Sequence, residues 1–182
     1  MLVAPFRVVL DANVLFPLSL RDTLLRCAAA DLYQLHWSEH ILDEMERNLT
    51  STGATTPEQA RRLRTTMEGA FPEARATDYE SLIPTMPNHD KDRHVAAAAL
   101  KAGAQVIVTS NLKDFQALPE GIEAQSPDEF LCNVFDLDPA AVTEVIQQQA
   151  QALRKPPRSF QALLGGLEKT VPAFVSLVRS NE

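Results

Sequence analysis

The sequence predicts an α/β fold, a mostly parallel central sheet flanked by helices, followed by a C-terminal helical extension. Three observations carry this prediction. Short apolar runs that stop at polar residues alternate with segments whose apolar residues recur at helical spacing, the pattern of a parallel sheet covered on both faces. The runs at residues 8–10 and 106–108 are uninterrupted, as strands buried on two sides require. From residue 138 onward the alternation stops and only helical periodicity remains. The chain has 182 residues, 45% apolar and 23% charged. That length allows one domain plus an appendage, able to bury a core without disulfide or metal, and the composition excludes a disordered or fibrous chain.

The elements follow in order. Val8, Val9 and Leu10 form a strand that ends abruptly at Asp11. Leu24, Leu25, Ala28 and Ala29 mark a helix, and residues 32–37 a second strand. Ser38 is the N-cap of a helix carrying Ile41, Leu42, Met45 and Leu49 on one face, because a hydroxyl there accepts a first-turn N–H. Thr56-Pro57-Glu58-Gln59 combines an N-cap, a proline at the first helical position and a box-closing Gln, so a helix runs to about Phe71. Residues 74–89, with Pro84 and Pro87, read as loop. Val95, Ala96, Ala99 and Leu100 give the next helix, which Gly103 ends. Residues 106–108 are the clearest strand, Ile122 starts a last short one, and Ser126-Pro127-Asp128-Glu129 opens a helix.

The tail begins at Asp138-Pro139 with a helix bearing Val142, Val145, Ile146, Gln149 and Leu153 on one stripe. Pro156-Pro157 breaks it. Phe160, Leu163, Leu164, Leu167, Val171, Phe174, Val175 and Val178 continue the stripe as two helices divided near Pro172. The expected organisation is a core domain at residues 1–132 and a helical extension at 133–182.

Several classes are excluded. No apolar run approaches the ~18 residues of a membrane-spanning helix. The first seven residues lack the basic-then-apolar order of a signal peptide. Cys27 and Cys132 stand far apart without a Cys-x-x-Cys, so two buried thiols in a reducing cytoplasm are expected. A net charge of −7, from 24 acids against 17 bases, argues against binding nucleic acid by bulk charge. The excess is local, because residues 133–182 hold five acids and five bases while residues 1–132 hold 19 and 12.

In an open parallel sheet, ligands bind outside the carboxyl ends of the strands. Here those ends read Asp11-Ala12-Asn13 and Thr109-Ser110-Asn111-Leu112-Lys113-Asp114. Asp92 opens the Ala-rich helix on the face shared by Val95, Ala96 and Ala99, so its carboxylate points inward. Burying an unpaired carboxylate costs several kcal/mol, roughly, in effective desolvation. Taken singly, Asp11 and Asp92 read as caps and Asp114 as a turn residue. Taken together, acids after two strands and on a buried helix end converge on one small volume, where a divalent cation with oxygen ligands, Mg²⁺ or Mn²⁺, relieves their repulsion.

Five segments then resemble a known family. They are Val9-Leu10-Asp11-Ala12-Asn13-Val14-Leu15, Ser38-Glu39-His40-Ile41-Leu42-Asp43-Glu44, Asp92-Arg93-His94-Val95-Ala96-Ala97-Ala98-Ala99, Ile107-Val108-Thr109-Ser110-Asn111-Leu112-Lys113-Asp114-Phe115 and the closing Ser126-Pro127-Asp128-Glu129-Phe130-Leu131. In order, across about residues 6–132, they look like the motifs of PIN-domain ribonucleases, and most like the VapC-type toxins of bacterial toxin–antitoxin pairs. The resemblance selects Glu44 from the acids outside the apolar stripe of its helix (Glu39, Asp43 and Glu46 are the others). It implies that Asp11, Glu44, Asp92 and Asp114 hold Mg²⁺ or Mn²⁺, with Asn13, Thr109 and Asn111 orienting them. Asn111 stands where many relatives carry an Asp, so the fourth acidic role passes to Asp114. His89-Asp90 replaces a commoner Asp-Pro, which leaves Asp92 as the third acid and Asp90 as its alternative.

The implied reaction is metal-assisted endonucleolytic hydrolysis of RNA, leaving a 5′-phosphate and a 3′-hydroxyl. Arg61, Arg62, Arg64, Lys91, Arg93 and Lys113 are candidates to hold RNA phosphates, the arginines doubling as a solvated helix face. The resemblance further implies a cognate antitoxin, and the two isolated thiols a cytoplasmic protein. The stripe at residues 160–178 serves either to pack on the core or to meet an antitoxin or a second copy in a homodimer. Two competing readings are a haloacid-dehalogenase-like phosphohydrolase with Asp11 as nucleophile, which wants an Asp where Asn13 stands, and a non-catalytic PIN-like RNA-binding or scaffold module.

Overall fold

Arg7–Leu10 (β1), Gln34–His36 (β2), Val106–Val108 (β3) and Glu123–Gln125 (β4) pair in parallel in the order β2-β1-β3-β4. This is a computed structural model, and it describes residues 6–181. Val8, Val9, Leu10, Ile107 and Val108 have no exposed surface, which is why these runs lack the polar alternation of a one-sided sheet. Leu10 pairs with Val108, and Val108 with Gln125, so the carboxyl ends of three strands lie side by side. The expected signal-peptide absence concerns residues of which 1–5 lie outside the described part.

Helices Ala12–Leu15 (α1), Leu18–Ala29 (α2), Glu39–Ser51 (α3), Pro57–Ala70 (α4), Arg93–Ala102 (α5), Pro127–Leu137 (α6), Pro139–Ala152 (α7), Phe160–Leu167 (α8) and Pro172–Ser180 (α9) surround the sheet. The predicted caps form. The Ser38 hydroxyl accepts from the Ile41 N–H, and Thr56 and Gln59 close the capping box in both directions. Gly103 ends α5 in the left-handed region at φ +67°.

Two elements differ from expectation. The single turn α1 is too short to show a period, and the Asp11 carboxylate nucleates it by accepting the Ala12 N–H. Within the stretch read as loop, Ala74 and Ala76 bond the backbone of Trp37 and extend the sheet beyond β2, while Glu80–Thr85 and Asp90–Asp92 form 3₁₀ turns.

The tail packs into the core. Leu163, Leu164, Leu167, Val171, Phe174, Val175 and Val178 are all buried with the residues of the sheet layer, so the 160–178 stripe faces inward. Gln149 is 1% exposed; it accepts from the Thr23 hydroxyl at 2.8 Å and donates to the Ser19 carbonyl at 3.0 Å, fastening α7 to α2. Asp128 of α6 accepts the Ala173 and Phe174 N–H groups and so caps α9. Helix α6 runs across positions 132 and 133. Cys27 is buried, which pushes its thiol up to about 12, and Cys132 is only half-buried. Among the described residues, no helix is long and apolar enough to cross a membrane.

Candidate active site

The polar centre begins at Asp11, 4% exposed at the end of β1. One carboxylate oxygen accepts the Ala12 N–H at 2.7 Å. The other accepts from Asn13 Nδ2 at 3.0 Å and from the Thr109 hydroxyl at 2.8 Å. Thr109 follows β3, so this bond joins the ends of two neighbouring strands across 98 positions of sequence. Asn13 Nδ2 also donates to Thr109 Oγ1, and Asn13 Oδ1 accepts the Ser110 N–H at 3.0 Å. Asp11, Asn13 and Thr109 thus form one closed network.

A second group adjoins it. The Asn111 N–H donates to Thr109 Oγ1, while its side-chain amide donates to Asp114 at 2.5 Å and reaches Asp92 at 3.5 Å. Asp92 is 5% exposed and makes no capping bond to α5, so the inward orientation expected of it holds and the cap reading does not. Glu44, half-buried on α3, bonds none of these residues but lies within electrostatic reach of both Asp11 and Asp92.

Charge is crowded here. Burial raises the Asp11 carboxyl to about 6, against the opposing pull of the Thr109 and Ala12 donors and with the Asp92 and Glu44 charges adding to it. Burial also raises Asp92, with Lys91 opposing and Asp114 and Glu44 adding. Donation from Asn111 lowers Asp114. An ionised carboxylate offers about four acceptor positions, and Asp11 fills three with protein donors. One remains. An all-oxygen set with a spare acceptor at its most buried member fits a hard cation, Mg²⁺ or Mn²⁺, better than a soft one. Among the described residues, however, no three Asp, Glu, His or Cys side chains are drawn tightly enough together to make a ready cage.

The six expected RNA-binding cations divide. Lys91 and Lys113 are exposed beside the acids, and Arg61 and Arg62 are exposed on α4. Arg93 is engaged, donating to the Asn88 carbonyl and pairing with Asp90 at 2.8 Å. Arg64 turns away from solvent and pairs with Asp43 at 2.5 Å, with Glu39, Glu46 and Glu68 within 3.8 Å. It clamps α4 to α3, because acids on the outer face of α3 meet it there.

The four histidines fall at positions 36, 40, 89 and 94, and the structure gathers two of them, His40 and His94. His40 bonds the buried Tyr79 hydroxyl, its ring lies 5.3 Å from that of His94, and His94 Nε2 is 3.7 Å from Glu44. Burial drops His94 to about 4, so it meets Glu44 as a neutral ring near pH 7 rather than as an ion pair. The i, i+4 spacing of His40 and Glu44 on α3 was a usable signal. The approach of His94 from α5 had none.

Comparison with known proteins adds independent findings. The PIN domain family model matches residues 7–113, and a model of the VapC50 C-terminal domain matches residues 127–180. A protein of Mycobacterium tuberculosis (strain ATCC 25618 / H37Rv) named "Putative ribonuclease VapC50" is 45% identical over 107 residues, 57% of this chain and 63% of that protein. The match therefore spans less than two thirds of that relative's length. No solved structure matches.

Proposed function

Because the chain belongs to the PIN-domain family, we propose that it is an endoribonuclease that hydrolyses RNA phosphodiester bonds with Mg²⁺ or Mn²⁺ at Asp11, Glu44, Asp92 and Asp114, and that it is the toxin of a toxin–antitoxin pair. The observation that carries the reading is the buried Asp11 carboxylate, bonded across the ends of two adjacent strands to Thr109 and raised to about 6 by burial, with the Asp92 and Glu44 charges adding. A site built only to stabilise the fold has no reason to gather like charges there.

Each residue has a role in this reading. Asp11, Glu44, Asp92 and Asp114 are the ligands. Thr109 and Asn13 hold Asp11 in one orientation, and Asn111 holds Asp114 and Asp92. The bound metal supplies activation of water and neutralisation of the attacked phosphate. Lys91 and Lys113, exposed beside the acids, hold phosphates flanking the cut, with Arg61 and Arg62 further out. Arg64 and Arg93, already paired, act by positioning α4 and the Asp90–Asp92 turn. A phosphohydrolase with Asp11 as nucleophile is disfavoured by Asn13, which stands where that reading wants an Asp.

The test compares wild type and Asp11→Asn on structured and single-stranded RNA, with Mg²⁺, Mn²⁺ or a chelator. Cleavage is expected only for wild type with metal, and metal is expected to raise the melting temperature of wild type but not of the variant. Equal cleavage by Asp11→Asn overturns the mechanism. RNA bound by wild type with Mn²⁺ but left intact favours the non-catalytic module. Growth arrest on expression, relieved by Asp11→Asn, tests the toxin assignment.

A further inference from the structure

The path of the extension brings a basic turn to the end of the molecule that carries the carboxylates. Helix α6 follows the carboxyl end of β4 and packs against it, and α7 begins after the single residue Asp138 and packs on α6 and α2. The last turns of α7 are fixed where Gln149 bonds Ser19 and Thr23 in the opening turns of α2. Helix α2 itself starts just after α1, which Asp11 caps. The chain that leaves α7 therefore emerges at the same end as Asp11.

What emerges is Arg154-Lys155-Pro156-Pro157-Arg158, all exposed, closed by a bridge between Arg154 and Pro157. It holds three of the five basic residues of 133–182 and no acid. Unlike Arg64, Arg75 and Arg93, none of its three cations forms an ion pair with a described carboxylate. Two successive prolines restrict the backbone, so less conformational freedom is lost when the turn engages a ligand.

We propose that this turn is a phosphate-binding arm that holds the backbone of the RNA strand entering the carboxylate site. The inference rests on the ribonuclease reading for the identity of the polyanion. An RNA strand is favoured over an acidic peptide because the arm sits at the end where the strand must arrive, on a chain whose excess negative charge otherwise repels it.

The test uses the full chain carrying Asp11→Asn, titrated with a labelled mixed-sequence single-stranded RNA across a salt series, with and without Arg154→Ala, Lys155→Ala and Arg158→Ala. The triple change is expected to weaken binding about 10-fold at low salt and to lower the log–log salt slope by about 2, as loss of three phosphate contacts on a single strand requires. Arg154→Lys with Arg158→Lys should keep both. In the otherwise native chain the triple change should raise KM for a long RNA and leave kcat and dinucleotide cleavage unchanged. Unchanged affinity and salt slope overturn the arm, and leave the turn to an acidic protein partner. A native chain that binds RNA through the turn but never cuts it overturns the ribonuclease reading and leaves the arm standing.

Discussion

Asp11 and His94 are both buried ionisable groups, and burial acts on them in opposite directions. The Asp11 carboxyl is raised from 3.8 to about 6, so its protonated form suits the folded state. Its contribution to stability is complete below about pH 4 and is lost as pH rises through 6. His94 is lowered from 6.5 to about 4. Its contribution is complete above pH 6.5 and is lost as pH falls through 4. The two windows overlap and the slopes oppose, so metal-free wild type should show a muted response there. Asp11→Asn should unmask a melting temperature that falls on acidification from pH 6.5 to 4, and His94→Gln one that falls as pH rises from 4 to 6. Each effect is bounded by about 3 kcal/mol, two pKa units at about 1.4 kcal/mol each. Melts in chelator check this, and curves parallel to wild type for both variants count against it. At this scale the site was half legible. Asp11 and Asp92 announced themselves by apolar neighbours that force them inward. Glu44 came only with the family pattern, since three other acids on α3 were equally placed outside its apolar stripe. The pairing of Arg64 was invisible, because periodicity along α4 says nothing about which acids of α3 it faces.

Helix ends are where local chemistry alone decides structure, and they test cleanly. Thr56→Ala removes one half of the capping box and should cost about 1 kcal/mol. Gly103→Ala should cost about 1 kcal/mol or more, because φ is +67° and the new Cβ would lie 3.2 Å from the Arg7 guanidinium, which is itself held by the Ala102 carbonyl. The sites share no partner, so the double variant should show the sum. Urea midpoints at constant slope report it, and a Gly103→Ala protein as stable as wild type would contradict the strain argument. The same logic explains which elements could be read in advance. Helices α3, α4, α6 and α7 carry a side-chain cap, an apolar period, or both, within their own residues. The pairing of residues 74–76 with Trp37 could not be read, since three residues of which two are alanine have no period and the bond is to a distant strand. Turn α1 was missed for the same reason of length.

At the scale of the whole molecule, the extension is part of the core and not an addition to it. Helix α7 lies on α2 through the buried Gln149 amide, Phe174 of α9 meets Phe135 of α6 edge to face with ring centres 6.5 Å apart, and Asp128 caps α9. The extension buries Val142, Val145, Ile146, Leu163, Leu164, Leu167, Val171, Phe174, Val175 and Val178. Burying one such side chain contributes about 1.5–3 kcal/mol, and the faces of α2 and α6 that these residues cover lose their own burial with them. Removal of residues 139–182, which leaves α6 whole, should therefore yield an aggregating product, because the apolar faces of α2 and α6 are left to solvent. Size-exclusion chromatography with circular dichroism decides. A soluble, folded monomer of residues 1–138 would show that the core proposed at 1–132 stands alone and that the stripe exists for assembly. The charge distribution sharpens the expectation, since residues 1–138 hold 21 acids and 12 bases, while the removed layer that covers α2 holds three acids and five bases. Aggregation against that repulsion would mark exposed apolar surface, rather than lost solubility from charge, as the cause.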